Sequence, residues 1–64
     1  RPININRARL TELVLLPRVG PVLAVRIINY RESISTFTNI EQIKKVEGIG
    51  PATFNAIKFY ITVK

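Results

Sequence analysis

The chain has 64 residues, with ten Lys and Arg against four Glu, no Asp, no cysteine and no histidine, for a formal charge of +6. This excludes disulfide staples, soft-metal sites and histidine-based acid-base chemistry, and the length leaves no room for a deep active site. The core must come from economical helix packing, and the charge favours a polyanionic partner, either nucleic acid or an anionic membrane surface.

In chain order, Arg1 in place of methionine predicts a fragment or a processed form, with any signal or anchor lying upstream. Asn6 is placed to cap a first helix, with Ile5 stapled onto Leu10. Leu10, Leu13 and Leu16 recur at helical spacing, which predicts that helix near residues 7–15. The phrase "LPRVGP" follows. Pro21 suits the first position of a second helix, near residues 21–32, where its fixed φ is correct and its missing N–H costs nothing. "SISTFTN" is a linker, with Phe37 folding over the core. Asn39 and Gln42 have capping-box spacing for a third helix, near residues 39–46, carrying Ile40, Ile43 and Val46. "VEGIGP" then repeats the earlier phrase, and Pro51 opens a fourth helix, near residues 51–61, with Phe54, Ile57 and Ile61 on one face. No stretch approaches the roughly 20 apolar residues that span a bilayer.

Laying residues 10–30 over 40–60 pairs Leu10 with Ile40, Leu13 with Ile43, Leu16 with Val46 and Val19 with Ile49, and finds identity at Gly20/Gly50, Pro21/Pro51, Ile27/Ile57 and Tyr30/Tyr60. A fixed offset that preserves apolar positions, turn residues and an aromatic is an internal duplication, in which each copy needs the other to bury its apolar face. The expected fold is all-α: one domain over residues 1–64, with repeat one at about 7–32, a linker at about 33–38 and repeat two at about 39–62. The copies should pack as a pseudo-twofold pair. The matching Tyr30 and Tyr60 are expected to pack their rings while their hydroxyls stay wet.

"LPRVGPVLAVRIINYR" and "VEGIGPATFNAIKFYITV" resemble the two halves of a tandem helix-hairpin-helix domain, a compact four-helix, SAM-domain-like architecture. The resemblance is closest to the ComEA-type competence proteins, which bind incoming DNA during natural transformation. It runs from about Ile3 to Val63 and takes in "ININ", "INYRE", "FTNIEQI" and "YITV". It implies paired hairpins that straddle the minor groove of double-stranded DNA and hold the backbone without reading bases. It also implies no cofactor beyond a monovalent cation held at the hairpin carbonyls when DNA is bound. The parent protein it implies is bacterial, membrane-anchored and extracytoplasmic, with this segment itself soluble.

The turn has a physical logic of its own. Gly48 and Gly50 can adopt backbone angles denied to other residues and let a strand approach the main chain, while Ile49 points inward as a plug. The amides of Gly50, Ala52 and Thr53 are then orphan donors at a helix start, where the dipole favours a phosphate. In repeat one the site residues beside Arg18 are Val19, Gly20 and Val22, the counterparts of Ile49, Gly50 and Ala52. The alternative is that glycine merely turns the chain between helices. Repeat one departs from the pattern at Arg18, which replaces the first glycine. Either its guanidinium takes over the phosphate contact from outside, or that hairpin no longer binds nucleic acid. Lys44 and Lys45 precede the intact turn where repeat one has Val14 and Leu15, and they either contact phosphate or simply complement a helix C-terminus. Lys58 and Arg26 extend the basic track.

Val14, Leu15, Val22, Leu23 and Val25 are more apolar residues than one helical stripe can bury, so part of repeat one should form a protein contact or a self-association surface. The alternative is that the chain ends wrap the short first helix. Catalysis has the least support: Glu12, Glu32, Glu41 and Glu47 show no pairing suited to acid-base or metal work. Two rival readings remain, a protein-interaction module with a degenerate first hairpin and weak DNA binding, and a spacer within a larger nuclease or secretion component.

Overall fold

Apolar residues spaced three apart lead into each turn: Leu13, Leu16 and Val19 in repeat one, and Ile43, Val46 and Ile49 in repeat two, all buried. That interval matches three residues per turn, the spacing of hydrogen bonds in a 3-10 helix. The computed structural model describes residues 2–64. Its backbone follows this tighter period: Leu16 N–H donates to Leu13 O, Val19 N–H to Leu16 O, Val46 N–H to Ile43 O and Ile49 N–H to Val46 O, all at 3.0–3.1 Å.

The elements in order are β1 (Ile3–Asn4), α1 (Leu10–Leu13), α2 (Pro21–Ser33), a 3-10 helix (Ile40–Lys45), α3 (Pro51–Ile57), a second 3-10 helix (Lys58–Tyr60) and β2 (Ile61–Thr62). The expected first helix is therefore only its central turn. The third is 3-10 rather than α, and the fourth stops being α at Ile57. The all-α expectation also needs amending, because β1 and β2 pair in parallel, Ile3 with Ile61 and Asn4 with Thr62, and join the two ends of the chain.

Two capping assignments change. Asn6 does not cap α1; Arg9 holds the cap position and its N–H donates to Glu12 Oε1 at 2.9 Å. Ile5 is wholly buried in the core and Leu10 is largely exposed, so no staple joins them. Asn6 instead receives the Phe37 N–H at 2.7 Å and donates Nδ2 to the Phe37 carbonyl at 2.8 Å, holding the linker by a reciprocal amide pair. Gln42 serves Thr38 rather than Asn39, accepting its N–H at 2.7 Å and donating to its hydroxyl at 2.7 Å.

One core takes equivalent residues from both repeats: Leu13 with Ile43, Leu16 with Val46, Val19 with Ile49, Ala24 with Phe54 and Ile27 with Ile57 are all buried. Phe37 closes it and stacks on Tyr30, with centroids 5.2 Å apart and planes inclined by 11°. Tyr60 does not mirror Tyr30. Where α2 continues as α-helix to Ser33, the second copy tightens into 3-10 at Lys58 and turns into β2, leaving Phe59 and Tyr60 82% and 55% exposed.

Candidate nucleic-acid interface

Hairpin one (residues 16–21) and hairpin two (residues 46–51) have the same backbone path. Arg18 and Gly48 are left-handed, at φ 64° and 95°. Gly20 and Gly50 are extended, at φ −95° and −99°, and each caps the helix that its proline opens. The first amides to enter the helical ladder are Ala24, which donates to Gly20 O at 3.0 Å, and Phe54, which donates to Gly50 O at 2.9 Å. The Val22, Leu23, Ala52 and Thr53 N–H groups before them have no intrahelical acceptor, and no side chain caps either helix start. A Cβ on Gly20 or Gly50 would meet nothing within 4 Å, so the main chain is open to solvent at both helix starts.

Gly48 is different. A Cβ there would lie 2.6 Å from Leu23 Cδ2 and 2.9 Å from Arg26 Nη1. Its missing side chain makes room for α2 of repeat one, and its φ also favours glycine. The pair equivalent to Gly48 and Leu23 is Arg18 and Thr53. There the larger residue is on the turn and the smaller one, itself buried, is on the helix.

Of the other residues singled out in the sequence, Val19 and Ile49 are buried plugs, and Arg18, Val22, Lys44, Lys45 and Ala52 are exposed. Lys44 Nζ lies over the Phe54 ring, 4.9 Å from its centroid, which orients that charge beside hairpin two. Lys58 is half-buried, with Nζ 5.2 Å from the centroid of Phe59. The apolar cluster of repeat one is smaller than the sequence implied, because Val14 and Leu23 pack against the core. Leu15, Val22 and Val25 remain 77%, 64% and 44% exposed.

Two features went unread in the sequence. Arg26, counted there only as part of a basic track, donates Nη1 to the Glu47 carbonyl at 3.1 Å. Lys45 and Glu47 line, with Arg26, Asn29 and Tyr30, a shallow groove of about 340 Å³ between α2 and hairpin two. Periodicity within one repeat does not reveal contacts that cross between repeats. Among the described residues there is no cluster of three His, Cys, Asp or Glu that could hold a metal, and no helix is long and apolar enough to cross a membrane.

Residues 1–62 match the family model described as "Helix-hairpin-helix motif". The chain is 52% identical over 62 residues to ComE operon protein 1 of Bacillus subtilis, covering 97% of this chain and 30% of that protein. It is 39% identical over 61 residues to the human endonuclease/exonuclease/phosphatase family domain-containing protein 1, covering 95% of this chain and 11% of that protein. It is 42% identical over 52 residues to an uncharacterized protein of Haemophilus influenzae, covering 80% of this chain and 46% of the other. The chain thus spans less than half the length of each of these relatives.

Proposed function

The chain belongs to the helix-hairpin-helix family, and from that premise we propose that it binds double-stranded DNA without regard to sequence, through backbone phosphates seated at its hairpins. One observation carries the reading: at two equivalent helix starts the first amides lack both an intrahelical acceptor and a side-chain cap, and Gly20 and Gly50 beside them are exposed, with open space where a Cβ would lie. A phosphate oxygen matches those donors, and the net charge of +6 favours its approach. Backbone contacts position a protein on a duplex but carry no sequence code.

The four-helix tandem arrangement, with its two repeats as one binding unit, belongs to this proposal, as do contacts from Arg18, Lys44, Lys45 and Lys58. So does a monovalent cation at the hairpins when DNA is bound. The donors available there are main-chain carbonyls, hard oxygen ligands suited to such an ion. The carbonyl of Glu47 already accepts one hydrogen bond, from Arg26 Nη1.

The likeness to the bacterial ComE operon protein 1 supports a place in DNA uptake on a bacterial parent; that the parent is membrane-anchored and extracytoplasmic is part of the same proposal. The family match and the likeness to ComE operon protein 1 support a non-enzymatic binding module, and the chain spans only 11% of the endonuclease/exonuclease/phosphatase relatives.

The direct test is a gel-shift titration with two unrelated duplexes over a range of salt. Equal affinities are expected, with log K falling against log salt by about 0.9 for each of roughly two to four phosphates neutralised. A strong preference for one duplex, or indifference to salt, overturns the reading.

A second reading has its own observation. The exposed Leu15, Val22 and Val25 stand where repeat two has Lys45, Ala52 and Asn55. This apolar face suits a protein contact or self-association. Sedimentation should then show association that Val25→Glu weakens without unfolding the chain; a monomer at high concentration removes the reading.

A further inference from the structure

We infer that Arg26 is a positioning residue for DNA binding, acting from repeat one on the hairpin of repeat two; this rests on the reading of hairpin two as a phosphate site. Arg26 projects from the middle of α2, and its Nη1 reaches the Glu47 carbonyl at 3.1 Å. The same guanidinium nitrogen lies 2.9 Å from the point where a Cβ on Gly48 would be, with Leu23 Cδ2 beside it at 2.6 Å. Two consecutive residues of the turn are thus held from outside their own repeat, Glu47 by a charged hydrogen bond and Gly48 by packing. A charged donor makes a stronger hydrogen bond than a neutral one, and this one, though exposed, orients the peptide that leads into Gly48.

The tie runs one way. The residue equivalent to Arg26 in repeat two is Ala56, which has no donor, and the one equivalent to Glu47 is Pro17. Hairpin two is also the one whose left-handed position is glycine, the residue with the greatest conformational freedom to lose. Hairpin one has Arg18 at that place, whose own side chain already narrows the backbone. A cross-repeat tie is therefore found at the turn that needs it. It holds the Gly50, Ala52 and Thr53 amides in the geometry a phosphate must meet, so that less freedom is lost when DNA arrives.

The variant Arg26→Met keeps an unbranched apolar stem beside Gly48 and removes the donor; Arg26→Lys restores a charged donor. Each is compared with the unaltered chain by duplex titration over a range of salt, by thermal melting, and by amide hydrogen exchange at Ile49, whose N–H donates to Val46 O within the turn, in the free protein. Arg26→Met is expected to melt as a folded protein, to bind about tenfold more weakly with an unchanged salt slope, and to exchange faster at that amide. Arg26→Lys should recover part of both effects.

An affinity loss accompanied by a slope lower by about 0.9, with the Ile49 amide unchanged, makes Arg26 itself a phosphate ligand and overturns the positioning role. Unchanged affinity overturns it too. If the unaltered chain fails to bind duplex, the binding reading falls and this role with it, while exchange in the free protein reports separately whether the tie exists.

Discussion

Arg18 and Gly48 hold the same place in two copies of one turn, and both are left-handed, at φ 64° and 95°. An L-residue with a side chain is disfavoured there by roughly 1–2 kcal/mol, because its Cβ crowds the following carbonyl. Repeat one therefore keeps the hairpin geometry despite the arginine, and the strain is local. Arg18→Gly should raise stability by up to about 1 kcal/mol, part of the relief being offset by the greater freedom glycine gives the unfolded chain. In a domain of this size that is a melting shift of roughly 4–8 °C. The same variant tests Arg18 as a ligand: affinity that holds or rises means the arginine only crowds the turn, and affinity that collapses makes it a principal phosphate contact.

The glycines of hairpin two have separable jobs, and substitution should show it. Gly48→Ala places a methyl against Leu23 and Arg26 at a φ that favours glycine. The overpacking should cost about 1–3 kcal/mol, with about 1 kcal/mol more from the backbone. Gly50→Val enters open space at an ordinary φ of −99° and should melt within a few degrees of the unaltered chain, yet it puts a branched side chain where a phosphate must approach. Melting and titration on the two variants together decide the matter. A folded Gly50→Val protein that binds normally removes hairpin two from the interface.

The duplication, the prolines that open α2 and α3, and Leu13, Leu16, Ile43 and Val46 as core residues were legible in the sequence, because each is a local pattern repeated at a fixed offset; Leu10, read as part of the same stripe, is exposed. The helix type was not. A spacing of three fits both an α-helical face and a 3-10 helix, and only the backbone bonds of residues 40–46 distinguish them. Asn6 was misread for a related reason: an Asn ahead of an apolar run has the signature of a cap, but its real partner, Phe37, lies 31 residues away. The tie from Arg26 to Glu47 crosses between repeats and leaves no periodic trace at all.

Asn6 should prove a stability residue with no role in binding. Its side chain meets both the N–H and the carbonyl of Phe37, whose ring closes the core against Tyr30. Asn6→Ala leaves that donor and acceptor unpaired, at a cost of about 1–3 kcal/mol. Asn6→Asp keeps an acceptor for the Phe37 N–H but loses the donor to its carbonyl, so it should fall between. Denaturant titrations rank the three proteins, and an Ala variant as stable as the unaltered chain contradicts the assignment.

Lys44 and Lys45 are adjacent and equally exposed, yet their settings differ enough to be told apart. Lys44 Nζ stands 4.9 Å from the centroid of Phe54, one turn into α3, so its charge is held beside the first amides of that helix. Lys45 lies on the wall of the groove that Arg26 and Glu47 share, with no ring beneath it. Lys44→Gln should cost about 0.5–1 kcal/mol of stability through the lost cation–π contact, and Lys45→Gln close to none. In binding, each lysine that touches a phosphate should lower the salt slope by about 0.9 when neutralised, and the double variant should lose more affinity than Arg18→Gly. Repeat one has Val14 and Leu15 at these positions, so it offers no equivalent lysine pair. If the double variant keeps both affinity and slope, the lysines are solvated surface and recognition rests on main-chain amides alone. If the slope falls by about one rather than two, the single variants identify the contact: the lysine whose neutralisation alone lowers the slope is the one reaching DNA, whatever its effect on melting.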